Sequence, residues 1–152
     1  MCLILTKQPR KNVAKKDIKV MKVLKPDNLS YYRDFKYEVG KTYNLGQELE
    51  VCNYKMSDFW YIYEGFHSFY DGIKLYNMGD FGGLILQVVF KNLLLEGTYY
   101  SLSDIAAFCT IPKGAKYYHD AEKGLYVSDS IRIDETMTIE EYIEKNPNMI
   151  IH

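Results

Sequence analysis

The chain has 152 residues, the length of one domain, and its hydrophobic (47 %) and charged (26 %) shares are typical of a soluble globular protein. The low content of proline (4) and glycine (10) argues against long disordered tracts, and no window approaches the roughly 18 apolar residues of a membrane span. The net charge of −1 hides a basic beginning and an acidic end. We therefore predict a single domain over residues 1–152, with residues 7–17 as a basic loop or arm.

The cysteines predict a reduced environment. Cys2, Cys52 and Cys109 are scattered without Cys-x-x-Cys spacing, which supports neither a disulfide framework nor a zinc site. The short apolar run near the beginning precedes its lysines, whereas a signal peptide has its charges first. We expect a cytoplasmic protein without metal, cofactor or membrane association. Removal of Met1 would expose an amine beside the Cys2 thiol, as in N-terminal-nucleophile hydrolases, but a packed strand residue is the simpler interpretation.

The first half of the chain predicts strands and one helix. Residues 18–24 alternate apolar side chains with lysines and form the first firm strand. A second strand is predicted over residues 37–43, weakened by Gly40 in its middle. Residues 60–64 alternate as a strand that Gly65 ends. Residues 68–76 place apolar side chains at spacings of four and three, which predicts a short helix.

The second half predicts the centre of the sheet and a C-terminal helix. The continuous apolar runs Leu84–Phe90 and Ile105–Ile111 are expected to be central buried strands, and residues 125–133 form another strand. Thr138-Ile-Glu-Glu141 is a capping box that opens a helix ending at Lys145, with Ile139 and Ile143 buried. The predicted fold class is α+β, mainly antiparallel β-sheet with two short helices, one of them C-terminal.

An aromatic stretch over residues 60–69 is the strongest candidate for a binding pocket. It surrounds a glycine turn with aromatic and polar side chains, the composition of a small apolar pocket with a few oriented polar contacts. The candidate binding residues are Trp60, Tyr61, Tyr63, Glu64, Phe66, His67, Ser68 and Asp71. The alternative is a structural corner in which His67 and Ser68 bond to the backbone at the start of a helix.

Lysines near the basic beginning of the chain are a second candidate for a binding site. Lys15, Lys16 and Lys19 are the residues with which the chain would hold nucleic acid or an acidic partner. The alternative is a solvated arm.

Four blocks of sequence carry a resemblance that covers most of the chain. They are Phe35-Lys-Tyr-Glu-Val-Gly-Lys-Thr-Tyr43, Glu64-Gly-Phe-His-Ser-Phe69, Ile111-Pro-Lys-Gly-Ala-Lys-Tyr-Tyr118 and Val127-Ser-Asp-Ser-Ile-Arg-Ile133. They resemble the blocks of a small uncharacterised domain family of bacteriophage and bacterial genomes. The resemblance implies an accessory or host-interaction protein and no established activity.

The order of motifs is also similar to the layout of ADP-ribosyltransferase domains. Phe66-His-Ser68 would stand where that family has its Ser-Thr-Ser strand, and Lys22 or Lys25 where it has an NAD-holding arginine. The family's catalytic Glu-x-Glu pair should fall within residues 123–126, where no acid stands; Glu122 and Glu135 are the nearest glutamates. The resemblance therefore implies a divergent or degenerate NAD-binding domain.

The residues contain no complete catalytic set. We predict a non-enzymatic interaction protein that binds a protein partner through a tyrosine-rich surface, because tyrosine suits recognition surfaces and fifteen are present. The alternatives are the ADP-ribosyltransferase-like domain and nucleic-acid binding through the basic run.

Overall fold

The computed structural model describes residues 3–5, 9–30, 34–53, 59–62, 64–70, 74–80, 84–90, 93–121 and 124–151. The strands in these ranges are β1 (Leu3–Leu5), β2 (Asn12–Val13), β3 (Ile18–Leu24), β4 (Thr42–Asn44), β5 (Cys52–Asn53), β6 (Trp60–Ile62), β7 (Phe66–Tyr70), β8 (Lys74–Asp80), β9 (Leu84–Phe90), β10 (Leu93–Tyr100), β11 (Ile105–Ile111), β12 (Lys116–Asp120), β13 (Leu125–Ser128), β14 (Ser130–Thr138) and β15 (Ile150–Ile151). An α-helix, α1, spans Ile139–Lys145, and 3-10 turns span Pro26–Asn28 and Pro147–Met149.

The strands form three sheets. The largest has the order β2-β12-β13-β7-β3-β11-β14-β4, the second β10-β9-β8-β15, and the third β1-β6-β5. The pairs are antiparallel except that β15 runs parallel to β8. The predicted α+β class with a mainly antiparallel sheet and a C-terminal helix is confirmed. In the described ranges no helix is long and apolar enough to cross a membrane.

The predicted helix over residues 68–76 is wrong. Residues up to Tyr70 belong to β7, residues from Lys74 belong to β8, and residues 71–73 lie outside the described ranges. The helical spacing of a few apolar side chains was a weak signal, because β7 has neighbouring strands on both sides that bond its backbone. Pairing with those neighbours overrides local preference.

One predicted strand is shorter than expected, and the predicted basic loop contains a short strand. Of residues 37–43, only Thr42 and Tyr43 are in a strand, because Gly40 adopts a φ of +87° and turns the chain. The predicted basic loop over residues 7–17 contains the short strand β2 at one edge of the large sheet, which pairs with β12.

The two predicted central strands are both internal, but they lie in different sheets. β11 pairs with β3 on one side and β14 on the other, at the middle of the large sheet. β9 lies between β8 and β10 in the four-stranded sheet.

The large sheet is covered on both faces. On what we call the Tyr37 face, the buried side chains are Val20, Leu24, Tyr37, Ala107, Cys109, Ile111, Tyr126, Ile131 and Ile133. On what we call the helix face, they are Met21, Phe69, Ala106, Val127, Ile139 and Tyr142. The side chains alternate between the faces along the strands, except where a bulge shifts the register of β14 between Ile133 and Glu135. Tyr117 near one end of the sheet and Tyr43 at the other both pack on the Tyr37 face, so the sheet curls around that side.

The C-terminal helix begins and ends as predicted. The side chain of Thr138 accepts a hydrogen bond from the backbone N–H of Glu141, which satisfies one of the free amides of the first turn. Ile139 is 1 % exposed and Ile143 is partly buried against the same cluster. The helix therefore packs its apolar side onto the large sheet.

Candidate functional site

The aromatic stretch of residues 60–69 is divided between two sheets. Trp60–Ile62 is the middle strand of the small sheet, and Phe66–Tyr70 lies inside the large one. Gly65 joins them with a φ of +137°, and a Cβ at this position would lie 2.6 Å from Cγ1 of Val127. This corner requires glycine, since a side chain would collide with β13.

His67 and Ser68 point to opposite faces of the large sheet. They are successive residues of β7, whose Phe66 packs on the Tyr37 face and whose Phe69 packs on the helix face. A pocket that uses both side chains is therefore not formed. Their predicted role at the start of a helix is wrong as well, because the segment is a strand.

His67 is bonded to the backbone of the corner. Its Nδ1 lies 3.2 Å from the carbonyl oxygen of Gly65, and its Nε2 lies 3.3 Å from that of Ile62. Burial, followed by the nearby charge of Lys22, lowers the pKa of His67 to about 4. The imidazole is neutral at pH 7 and donates its single N–H to one of the two carbonyls.

Ser68 and Lys22 lie together on the Tyr37 face. The Ser68 side chain is 2 % exposed, and its hydroxyl has no hydrogen-bond partner among the described residues. The Nζ atom of Lys22 donates to the backbone carbonyl of His67 and lies 5.4 Å from the centre of the Tyr37 ring. Burial lowers the pKa of Lys22 to about 8. Ser68, which the ADP-ribosyltransferase resemblance places on the Ser-Thr-Ser strand, and Lys22, which it places at the arginine position, are thus neighbours on one face of the sheet, while Lys25 pairs with Asp34.

The remaining residues of the predicted pocket are described only in part. Trp60, Tyr61 and Glu64 are partly buried, and Tyr63 and Asp71 lie outside the described residues. No group of three or more His, Cys, Asp or Glu side chains is placed to hold a metal in the part of the chain that the structure describes.

Most of the tyrosines whose side chains the structure describes are buried or partly buried. Among those whose side chains are described, Tyr37, Tyr100, Tyr118, Tyr126 and Tyr142 are buried, Tyr43, Tyr61 and Tyr117 are partly buried, and Tyr70 is exposed. Tyrosine content therefore does not by itself mark a recognition surface on these strands.

The three predicted lysines have different environments. Lys19 lies 3.6 Å from the Asp134 carboxylate and donates to the Thr110 hydroxyl at 3.1 Å. Lys15 and Lys16 are exposed and follow Ala14, whose backbone N–H bonds to the Ala115 carbonyl. These two lysines therefore stand beside the turn between β11 and β12.

A polar cleft of about 710 Å³ lies between that turn and the chain that follows β4. Its lining residues are Thr42, Asn44, Gly46, Gln47, Glu48, Pro112, Lys113, Gly114, Ala115, Lys116, Asp129 and Ser130. Asp129 holds the two walls together, because its carboxylate accepts from the backbone N–H of Lys116 at 2.9 Å and its carbonyl accepts from Leu45 at 2.8 Å. Sequence reasoning missed this cleft, although the turn at Pro112-Lys-Gly114 marks one wall.

The edge of the large sheet beside this cleft carries an aromatic cluster. The Phe35 ring lies edge-on to Tyr37 and Tyr43, with centroids 4.9 and 5.4 Å away, and these tyrosines are 5.2 Å apart. The Tyr43 hydroxyl also accepts from the backbone N–H of Glu38 at 2.8 Å. Phe35 is 46 % exposed, so the cluster presents a fixed apolar surface to solvent.

The outer edge of β4 is open in the described ranges. β4 is the last strand of the sheet and pairs only with β14. Tyr43 pairs with Ile131, and the flanking bonds of Lys41 and Leu45 run to the same side. In an antiparallel ladder the backbone groups of alternate residues point the other way, here those of Thr42 and Asn44. We refer to the outward backbone of these two residues, with Phe35 and Tyr43, as the β4 edge.

Comparisons with protein-family models, curated proteins and solved structures gave no match. Both resemblances drawn from the sequence accordingly stay hypotheses.

Proposed function

We propose that this chain is a non-enzymatic interaction protein that binds a protein partner along the β4 edge. The observation that carries the proposal is the exposed Phe35 ring, fixed against two tyrosines, beside an unpaired strand backbone. A strand edge can accept a strand from another chain, and a rigid aromatic side chain is a common anchor of such interfaces. The resemblance to phage and bacterial accessory domains adds the expectation of that biological setting.

The exposed backbone and the anchor can be removed separately. Phe35→Ala removes the ring that protrudes from the cluster. Thr42→Pro removes an outward N–H without removing a bond to β14, and proline is tolerated at such edge positions. Phe59, which is 52 % exposed and precedes β6 of the small sheet, supplies the matched control Phe59→Ala.

The test is capture from a bacterial cytosolic extract, followed by measurement of affinity with the purified captured protein. We expect wild type and Phe59→Ala to bind one stoichiometric protein equally, and Phe35→Ala and Thr42→Pro to lose it. A partner retained equally by all four proteins contradicts the proposal. Circular dichroism and thermal melts of each variant separate a lost contact from a lost fold.

Nucleic-acid binding is a second candidate because Lys15 and Lys16 are exposed, with no ion pair to the described residues. Lysine contacts to phosphate release counterions and weaken with salt. Lys15→Glu with Lys16→Glu should abolish retention on single-stranded DNA at low salt. Lys19→Glu is the comparison, since Lys19 already pairs with Asp134. If the wild-type protein is not retained on single-stranded DNA at low salt, nucleic-acid binding is ruled out.

A further inference from the structure

The two sides of β4 have different chemistry. Tyr43 points to the Tyr37 face, where it contacts the exposed Phe35, while Thr42 and Asn44 point to the other side and line the polar cleft. A strand that adds to this edge continues the sheet, so its own side chains alternate between the same two sides. One set of partner side chains therefore meets aromatic rings, and the other set meets the cleft.

The cleft lining holds two lysines, Lys113 and Lys116, and two acids, Glu48 and Asp129, of which Asp129 bonds to the backbone. Lys15 and Lys16 stand beside the turn between β11 and β12, and none of the four lysines has a carboxylate within ion-pair distance among the described residues. Among the described residues, three acids line the cleft or bond to this turn. The Asp17 carboxylate accepts from the backbone N–H of Lys113 at 2.9 Å, the Asp129 carboxylate accepts from that of Lys116, and Glu48 lies on the opposite wall.

We infer that the partner segment is an extended strand in which apolar and acidic side chains alternate. Its apolar side chains would pack on Phe35 and Tyr43, and its carboxylates would face Lys113 and Lys116 across the cleft. Complementary charge of this kind selects among partners and sets the register of the added strand. The inference rests on the proposed function, because it names the partner of the same β4 edge.

Three labelled peptides test it by fluorescence anisotropy with the full chain. The first alternates valine and glutamate over eight residues, the second alternates valine and lysine, and the third has the composition of the first with its valines and glutamates in two blocks. Wild type should bind the first at least about tenfold more tightly than either of the others, a ratio that corresponds to about 1.4 kcal/mol. Lys113→Glu with Lys116→Glu should reverse the preference between the first two peptides. Lys145→Glu, an exposed charge reversal on α1, should leave it unchanged.

Equal binding of all three peptides, or a preference that survives the double charge reversal, overturns the inference. It is also overturned if the double reversal abolishes retention on single-stranded DNA while no peptide binds, because the lysines would then serve nucleic acid. A different result would contradict the proposed function: the Phe35→Ala and Thr42→Pro variants would both still capture the partner. If those two variants lose the partner and the peptides show no preference, the β4 edge is the interface and only its assigned partner chemistry is wrong.

Discussion

The Nζ atom of Lys22 on β3 donates a hydrogen bond to the backbone carbonyl of His67 on β7. The ladder between these strands pairs Val20 with Tyr70 and Met21 with Phe69, and the lysine bond is made just beyond its last pair. A side chain thus continues the connection where backbone pairing stops. The bond places a charged ammonium on the interior Tyr37 face, which explains why burial lowers its pKa.

The titration of Lys22 should increase the free energy of unfolding at alkaline pH. Its pKa is about 8 in the folded chain and 10.5 in an unfolded one, so the unfolded state holds more protons between these values. Raising the pH from 8 to 10.5 should therefore increase the unfolding free energy of wild type relative to Lys22→Met, by on the order of 2 kcal/mol. Urea unfolding at a series of pH values measures this difference. Lys16→Met, at an exposed position, should track wild type, and parallel curves for wild type and Lys22→Met would refute the assignment.

His67 should make stability fall in mild acid. Its pKa is about 4 in the folded chain against 6.5 unfolded, so protonation favours unfolding as the pH drops through that interval. Wild type should lose roughly 2 to 3 kcal/mol of unfolding free energy between pH 6.5 and 4 that His67→Gln does not lose. Chemical denaturation at pH 7, 5.5 and 4.5 provides the comparison. At pH 7, His67→Ala should cost about 1 to 3 kcal/mol, the amount for a lost buried hydrogen bond. A melting temperature that is unchanged at pH 7 would contradict this structural role.

Two buried serines on the large sheet should respond oppositely to loss of the hydroxyl. Ser68 has no hydrogen-bond partner in the described ranges, whereas the Ser128 hydroxyl donates to the Ser130 carbonyl at 2.9 Å. Ser68→Ala removes an unsatisfied buried group and should be neutral or stabilise by up to about 1 kcal/mol. Ser128→Ala should destabilise by about 1 kcal/mol or more. Equal losses in equilibrium unfolding would mean that Ser68 has a hydrogen-bond partner after all.

Gly65 should be the least replaceable of the compared glycines. Its Cβ would approach Val127 Cγ1 to 2.6 Å and Leu49 Cδ2 to 2.8 Å, in addition to the strain of a φ of +137°. Gly65→Ala should cost more than about 2 kcal/mol, since steric collision adds to backbone strain. Gly40→Ala is the control for strain alone, because a Cβ there has no heavy atom within 4 Å. Similar melting temperatures for the two variants would show that Val127 on β13 can move away from the added methyl group at little cost.

The fold could be predicted from sequence where the signal was local and strong. Continuous apolar runs gave β9 and β11, and the capping box at Thr138 gave α1, because each pattern has one favourable structure. The helix predicted through Ser68 failed because its short strand takes its stability from β13 and β3, which are distant in sequence. Strand order itself has no local signature.

The candidate site was predicted less well than the fold. The density of aromatic residues around Gly65 correctly indicated a special corner, but it did not reveal that His67 and Ser68 face apart. Successive side chains point to opposite faces only in a strand, and the prediction treated this segment as a helix. The cleft and the β4 edge join segments as far apart as Thr42 and Lys113. Such proximity arises from the curl of the sheet and cannot be read from neighbouring residues.

The buried Cys109 makes the middle of the large sheet observable by a simple chemical reaction. The thiol lies on β11 between β3 and β14, is 1 % exposed, and has its pKa raised to about 12 by burial. Because thiolate is the reactive form and the side chain is covered by the cluster on the Tyr37 face, an alkylating reagent can modify this residue only when that face opens. The rate of alkylation of Cys109 therefore measures how often this face of the sheet opens spontaneously, and the measurement needs no introduced cysteine.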